Sequence, residues 1–452
     1  MRAFVSLLSI LLLTQAASGI TEIDVRKVDS PNGAVLLIID GMGSYYTTPG
    51  RIPLALDGAV IDRPLLPNLT GLAARGAYTE LKVPVPSTIP AHSVIMTGNP
   101  DADAELVGAG GSIYDSAHAR GYIAIAIMQR GDFSEMLDDQ DAVLYAKSNS
   151  ISEPELETSL NNKSLRDVHD IMLEWKRKMA GYLYNKTGFA RYRAYNQWGL
   201  DAAAEIVRYM GEKRKGERYL LTVNVGGVDS AGHSLGANGY VNAIEGIDPG
   251  IEAIYTEASK YGIAFILTAD HGMAFKTAGS GRGGHASDDY AKARESTNVP
   301  FLIISPNART NVSGYYLQED AAPTILSVMD IPSSLPYAEG SALPVKDYVN
   351  LQVAAPFEHE VELWKNGSIV SNASGDSSFM FLGLEPANYT LKARSRDNYY
   401  ERALELSSDV TLSLSPGGSQ KRAASSMTLA LVLVGIVNAA GLLVIRRIMK
   451  SE

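Results

Sequence analysis

Cysteine is absent from this 452-residue chain. Disulfides and thiolate metal sites are therefore excluded, and any metal has to sit on histidine, carboxylate or hydroxyl ligands. A positive surface is lacking too: the formal net charge is −10, which argues against general nucleic-acid binding. Small anionic substrates are not excluded, because a bound cation reverses the local field. No convincing internal repeat is present. What the chain does have is 46% hydrophobic and 20% charged residues. That is the balance of a globular protein long enough for more than one domain.

Charge is also missing from two terminal runs. Met1-Arg2 precedes the apolar stretch Ala3 to Leu13 and the small residues Ala16-Ala17-Ser18-Gly19, the pattern of a secretory signal peptide over 1–19. Met427 to Ile445 is 19 residues without a charge, enough to cross a hydrocarbon core of roughly 30 Å. Arg446, Arg447 and Lys450 follow it and predict a cytoplasmic tail at 446–452. Seven Asn-X-Ser/Thr triplets, at Asn68, Asn162, Asn185, Asn311, Asn366, Asn372 and Asn388, fit a glycosylated exterior. The expectation is a single-pass cell-membrane protein with its catalytic domain outside.

Residues 33–39 are a continuous apolar run, the pattern of a strand buried on both faces. Tyr122 to Ile127, Tyr219 to Val225, Ile263 to Leu267 and Pro300 to Ser305 also read as strands. Helices are expected near 66–74, from about Pro90, over Ser112 to Arg120, at 250–260 and over Ala322 to Met329. This alternation predicts an α/β fold over 20–345, a mainly parallel sheet with helices on both faces. Residues 150–215, richer in charge and helix formers, read as a helical insertion. Beyond Val345, short alternating segments such as Val361 to Trp364 and Tyr389 to Ala393 predict a small β-sandwich at 346–414. A polar linker at 415–426 precedes the membrane helix at 427–445.

Three of the strands lead into carboxylates: Asp40, Asp229 and Asp270. Strand tips of one parallel sheet share an edge, so these groups can converge. Singly, Asp-Gly or Asp-His after a strand is an ordinary turn. His233 follows Asp229 by four residues, His271 is adjacent to Asp270, and Gly283-Gly284-His285 adds a third imidazole. Pro86 and Pro90 hold Ser87-Thr88 on a constrained turn at a helix N-terminus, where an anion is favoured. A simple Ser/Thr cap is the plainer reading of that pair. Three carboxylates, three imidazoles and one hydroxyl suit two metal ions roughly 3.5–4 Å apart. Oxygen and imidazole ligands without thiolate point to zinc, or else manganese or magnesium.

Taken in order, these motifs resemble the alkaline phosphatase superfamily, in particular its nucleotide pyrophosphatase/phosphodiesterase-like branch, over roughly residues 30–345. Thr88-Ile89-Pro90-Ala91-His92 with Thr97-Gly98 is similar to that branch's nucleophile segment. Asp229-Ser230-Ala231-Gly232-His233 and Asp270-His271-Gly272-Met273 are similar to its two ligand motifs. The resemblance implies one metal on Asp229, His233 and His285. It implies a second on Asp40, Asp270 and His271, with Thr88 as both ligand and nucleophile. Such a cation lowers the pKa of a hydroxyl that is otherwise a poor nucleophile. Ser87 is the rival nucleophile, and His92 is expected to orient the turn.

The chain departs from the branch in places. The asparagine that binds a non-bridging oxygen is replaced by Gly108-Ala109-Gly110-Gly111-Ser112, whose amides offer a substitute cradle. Arg282 is a second candidate for that anion. No Cys/Ser-x-Pro-x-Arg motif is present to yield a sulfatase formylglycine. Asp40-Gly41-Met42-Gly43 is also similar to cofactor-independent phosphoglycerate mutase, a reading that export disfavours. Specificity is expected from 150–215, where Tyr182, Tyr184, Tyr192 and Tyr195 offer stacking faces or simply core. The expectation is a two-metal extracellular hydrolase of small phosphate mono- or diesters acting through phospho-Thr88, with cell-envelope partners met through the β-sandwich. The alternatives are a sulfatase or phosphoryl-group transferase on envelope glycans or lipids, and a non-catalytic surface protein stabilised by metal.

Overall fold

The apolar run at 33–39 forms the strand Gly33–Ile39, with every residue buried. It is near the middle of a nine-stranded sheet in a computed structural model that describes residues 20–130, 136–332, 335–355, 357–375, 378–396 and 399–414. On one side Gly33–Ile39 pairs in parallel with Ala264–Thr268, and on the other with Tyr219–Val225. Tyr219–Val225 pairs in parallel with Ile123–Met128, and that strand with Ala142–Ala146. Five adjacent parallel strands thus send their C-terminal tips to one edge.

The sheet is mixed rather than uniformly parallel. Asn298–Ile304 runs antiparallel to both its neighbours, Ala264–Thr268 and Ala77–Lys82, and Leu156–Leu160 runs antiparallel to Ala142–Ala146. The reason lies in the connection. A parallel return needs a long crossover, usually a helix. Between Thr268 and Asn298 the chain makes only a two-residue hairpin pair, a 3₁₀ turn and the one-turn helix Arg294–Thr297. It therefore re-enters the sheet from the edge it left.

Long helices cover the sheet. Gly188–Lys213 and Gly227–Lys260 pack on each other and against the central strands. Thr88–Thr97, Ile113–His118 and Ala321–Val328 form another packed group. The insertion contains Arg166–Leu183 and Gly188–Lys213, as well as the edge strand Leu156–Leu160.

Beyond residue 346 lie two four-stranded sheets. One orders Ile20–Asp24, Ser378–Leu384, Val349–Ala354 and Val410–Ser413; the other orders Ser368–Gly375, His359–Lys365, Ala387–Arg394 and Tyr399–Leu406. Leu351, Phe379 and Phe381 of the first share one apolar cluster with Val361, Leu363 and Leu391 of the second. The N-terminal strand Ile20–Asp24 belongs to this part, in parallel with Ser378–Leu382. A buried ionic knot ties it to the α/β unit. Lys346 Nζ donates to Asp330 Oδ1 and to Asp409 Oδ2, each at 2.8 Å. Asn350 donates its side-chain amide to Asp330 and its backbone N–H to Asp409.

The expected single-pass membrane placement is corrected. No described helix is long and apolar enough to cross a membrane. The long ones are amphipathic or broken: Gly188–Lys213 carries Arg191, Arg193, Asp201, Glu205 and Arg208, and Gly227–Lys260 is interrupted at Gly236. The expected signal peptide at 1–19, the linker at 415–426, the span at 427–445 and the tail at 446–452 lie outside the described residues.

Candidate active site

Most of the candidate side chains sit at the tip of a buried strand or near the start of the helix that follows. Asp40 comes directly after Gly33–Ile39 and is fully buried. Gly41 follows with a left-handed φ of +79°. A Cβ there would lie 2.8 Å from Asp229 Cβ and 2.9 Å from its Cα, so glycine is what allows the two carboxylate segments to touch. Tyr240 closes the turn: its hydroxyl donates to Gly41 O at 2.6 Å and accepts from Gly43 N at 3.0 Å.

Asp229 and His233 lie on the first turns of Gly227–Lys260. Four residues apart, they share a helix face, and His233 Nε2 is 3.3 Å from Asp229 Oδ1. His285 comes from the loop after Gly283–Gly284; its Nε2 is 3.4 Å from the same oxygen and 3.0 Å from His233 Nε2. Asp270 and His271 follow Ala264–Thr268. Asp270 Oδ1 accepts from the amides of Gly41 and His271, at 2.9 and 2.7 Å, while Oδ2 lies 3.3 Å from His271 Nε2. Gln318 donates to Asp270 O at 2.6 Å. The rings of His271 and His285 stack with centroids 3.7 Å apart.

Thr88 opens the helix Thr88–Thr97, two residues earlier than expected, with Ser87 at its N-cap position. Thr88 Oγ1 is 3.3 Å from His271 Nε2. His92, fully buried, bonds Thr88 O through Nδ1 at 2.8 Å, with Asp270 Oδ2 at 3.3 Å, and its Nε2 faces Asn224. It thereby ties the Thr88 turn to Asp270.

All seven expected residues therefore gather at one edge of the sheet. Asp229, His233 and His285 form one group that could hold a metal ion, and Asp40, Asp229 and His271 form another, with Asp229 in both. Asp270 stands against the second group: its Oδ1 accepts from two backbone amides, while its Oδ2 faces His271 Nε2 at 3.3 Å.

The ring nitrogens test whether a cation fits. The Nδ1 atoms of His233, His271 and His285 bond the carbonyls of Gly283, Gly272 and Pro86. In a neutral ring this leaves Nε2 with a lone pair. The Nε2 atoms of His233 and His285 face Asp229 Oδ1, at 3.3 and 3.4 Å. Lone pairs pointed at a buried carboxylate need positive charge among them, supplied by a proton or by a metal. Asp229 shows the same demand. Burial raises its pKa, but the His233 hydrogen bond and nearby positive charges outweigh burial and hold it well below the usual range. The Asp229 bond is the largest influence on His233 and raises its pKa. Burial lowers His271 and His285. Burial, with the charge on Asp229, pushes Asp270 up to about 8.

Sequence reasoning missed Arg130. It follows the strand Ile123–Met128; its Nε is 3.0 Å from Asp40 Oδ2 and its Nη1 is 3.2 Å from Asp229 Oδ2. Its position just past a strand that pairs with Tyr219–Val225 was the available signal. Of the four tyrosines, Tyr192 reaches the site, lining a cavity of about 340 Å³ with Arg130, Asp229 and His233. Tyr195 is buried on Gln129, Tyr182 bonds Asp201, and Tyr184 lines a different cavity. The glycine segment does not offer its Ser112 amide as a cradle, since Asp115 occupies it in a capping box. Arg282 lines a cavity of about 500 Å³ together with His233 and His285.

A family described as the Metalloenzyme superfamily matches residues 195–328, a segment holding five of the seven residues: Asp229, His233, Asp270, His271 and His285. Among curated proteins, a 2,3-bisphosphoglycerate-independent phosphoglycerate mutase of Anaplasma phagocytophilum is 30% identical over 132 residues, covering 29% of this chain and 25% of the mutase. The mutase of Caenorhabditis elegans is 27% identical over 134 residues, covering 29% and 24%. The chain thus spans about a quarter of the length of the curated relatives it matches. Among solved structures, alkaline phosphatase PafA aligns at a TM-score of 0.49 and 12% identity, over 70% of this chain and 99% of its own. An alkaline phosphatase superfamily protein of Vibrio parahaemolyticus aligns at 0.47 and 14%, over 83% and 80%.

Proposed function

We propose that this chain, whose residues 195–328 match the Metalloenzyme superfamily, is a metal-dependent hydrolase of phosphate esters with Thr88 as its nucleophile. The observation that carries the reading is the position of Thr88. Its hydroxyl, nearly buried, stands 3.3 Å from His271 Nε2 at the edge of two clusters joined through Asp229. A non-catalytic metal site has no use for a hydroxyl so placed.

Asp229, His233 and His285 would hold one divalent cation, and Asp40, Asp229 and His271 another, with Thr88 beside the second. Zinc suits this oxygen and imidazole set best. When bound, such ions lower the pKa of a coordinated hydroxyl and neutralise charge on the transferred group. Thr88 Oγ then attacks phosphorus as the bond to the leaving oxygen breaks, giving phospho-Thr88 and an alcohol. Water attacks the same phosphorus in the second step and frees Thr88 and inorganic phosphate. His92 positions Thr88 by anchoring its carbonyl, and Arg130 balances the charge of Asp40 and Asp229. Residues 346–414 together with Ile20–Asp24 are read as a β-sandwich appended to the catalytic unit.

The test is to acid-quench the metal-loaded protein during turnover of a phosphate ester and map covalent phosphate by mass spectrometry. The label should sit on Thr88 and vanish in Thr88→Ala but persist in Ser87→Ala. Full turnover by Thr88→Ala would refute the assignment. The mutase matches favour a second reading, phosphoryl transfer to another hydroxyl. It predicts phosphorylated acceptor rather than inorganic phosphate when a polyol is supplied.

A further inference from the structure

The cavity of about 500 Å³ has His233 and His285 in its wall, and with them Lys276, Arg282 and Tyr290. Lys276 and Arg282 are the first and last residues of the loop that joins the paired segments Ala274–Phe275 and Gly283–Gly284. Among the described residues neither is paired with a carboxylate, although the chain carries more acids than bases.

The hairpin is held firmly. Gly236 lies at φ +69°, where a Cβ would collide with the Ser280 carbonyl, and Ala237 N bonds that carbonyl at 3.2 Å. Ser280 also closes the turn onto Thr277 through N→O at 3.0 Å and through its hydroxyl on Thr277 N at 2.9 Å. Lys276 and Arg282 thus stand at the two ends of a braced turn, in the wall of the cavity beside His233 and His285.

We infer that this cavity receives a leaving group carrying a second negative charge, which Lys276 and Arg282 bind together. The inference rests on the phosphate-ester reading above and adds the substrate class: esters of an anionic alcohol, bearing a carboxylate or a further phosphate-type group, in preference to esters of a neutral one. Thr88 stands next to His271, and the cavity opens beside His233 and His285, so the leaving oxygen is assigned to the side where the cations wait.

The experiment compares kcat/KM of the metal-loaded protein for three aryl phosphates that differ in one meta substituent: carboxylate, phosphonate or neutral carboxamide. A charge-assisted contact predicts that one or both anionic esters exceed the carboxamide by roughly 10- to 100-fold, and which of them does identifies the anion. In the double variant Lys276→Gln, Arg282→Gln the ratio should collapse toward one. A wild-type ratio near one, or a ratio preserved in the double variant, overturns the inference. Calorimetric binding of the matching non-hydrolysable phosphonates reads the same preference without turnover. If no ester is cleaved, the hydrolase reading fails on its own. Equal binding of the charged and neutral phosphonates would then overturn this inference separately.

Discussion

Replacing Gly41 with alanine should damage the proposed metal centre by displacing Asp229, without replacing any ligand. Two terms set the magnitude. Gly41 lies at φ +79°, and an L-residue in the left-handed region costs roughly 1–2 kcal/mol. The new methyl would also stand 2.8 and 2.9 Å from Asp229 Cβ and Cα. The second of these is backbone at the start of a long helix, so relief requires moving the helix or the Asp40 turn. Overpacking of this kind costs about 1–3 kcal/mol, for a total of about 2–5 kcal/mol. Gly50 provides the control: its φ is +82° but nothing lies within 4 Å of its Cβ position, so Gly50→Ala should show the backbone term alone. Both variants would be followed by thermal unfolding and by zinc titration calorimetry. Gly41→Ala should lose more stability than Gly50→Ala and weaken zinc binding. Since a displacement of about 1 Å can cost on the order of 10²-fold in rate, turnover should fall accordingly. Matching stability losses and wild-type zinc affinity in both variants would refute the argument that Gly41 sets the position of Asp229.

Further expectations concern the charges. Asp229 is common to both clusters, so Asp229→Asn should lower occupancy of both sites, whereas His233→Ala and His271→Ala should each empty one; metal analysis after gel filtration distinguishes the patterns. The Asp229 bond raises the pKa of His233, and a proton there competes with a cation. Zinc affinity should therefore climb as pH rises through that raised pKa, and His233→Ala should flatten this part of the profile. Lys346 is buried between Asp330 and Asp409. Lys346→Met leaves two buried carboxylates facing each other, at a cost of roughly 3–5 kcal/mol. Scanning calorimetry should then show the β-rich part melting apart from the catalytic unit; one unchanged transition would count against the knot as their fastening.

The corrections share a physical origin. Helix Thr88–Thr97 starts ahead of Pro90 because a proline in the first turn gives up an amide that lacks an intrahelical partner anyway. A helix is expected only at 250–260, yet it begins at Gly227 and supplies the common face of Asp229 and His233. The short strands Ala77–Lys82 and Leu156–Leu160 sit toward the sheet margins with many half-exposed residues, and so lack the continuous apolar run that marks the buried ones. Local pattern reports an element's own burial and says little about what it packs against.

From sequence alone one could determine the buried strands, the acids they deliver and the cation-seeking chemistry of those residues. Continuous apolar runs can be satisfied only inside a sheet, and their ends must emerge at its edge. Tertiary structure alone decided how the groups are shared. Asp229 serves two clusters because Gly41 lets two segments distant in sequence come into contact. Asp270 turns one oxygen toward backbone amides, and Arg130 reaches carboxylates that lie 90 and 99 positions away from it. The meeting of Lys276 and Arg282 with His233 and His285 in one cavity wall is likewise a matter of tertiary structure. Such relations depend on distances between segments far apart in the chain, and composition and periodicity carry no record of them.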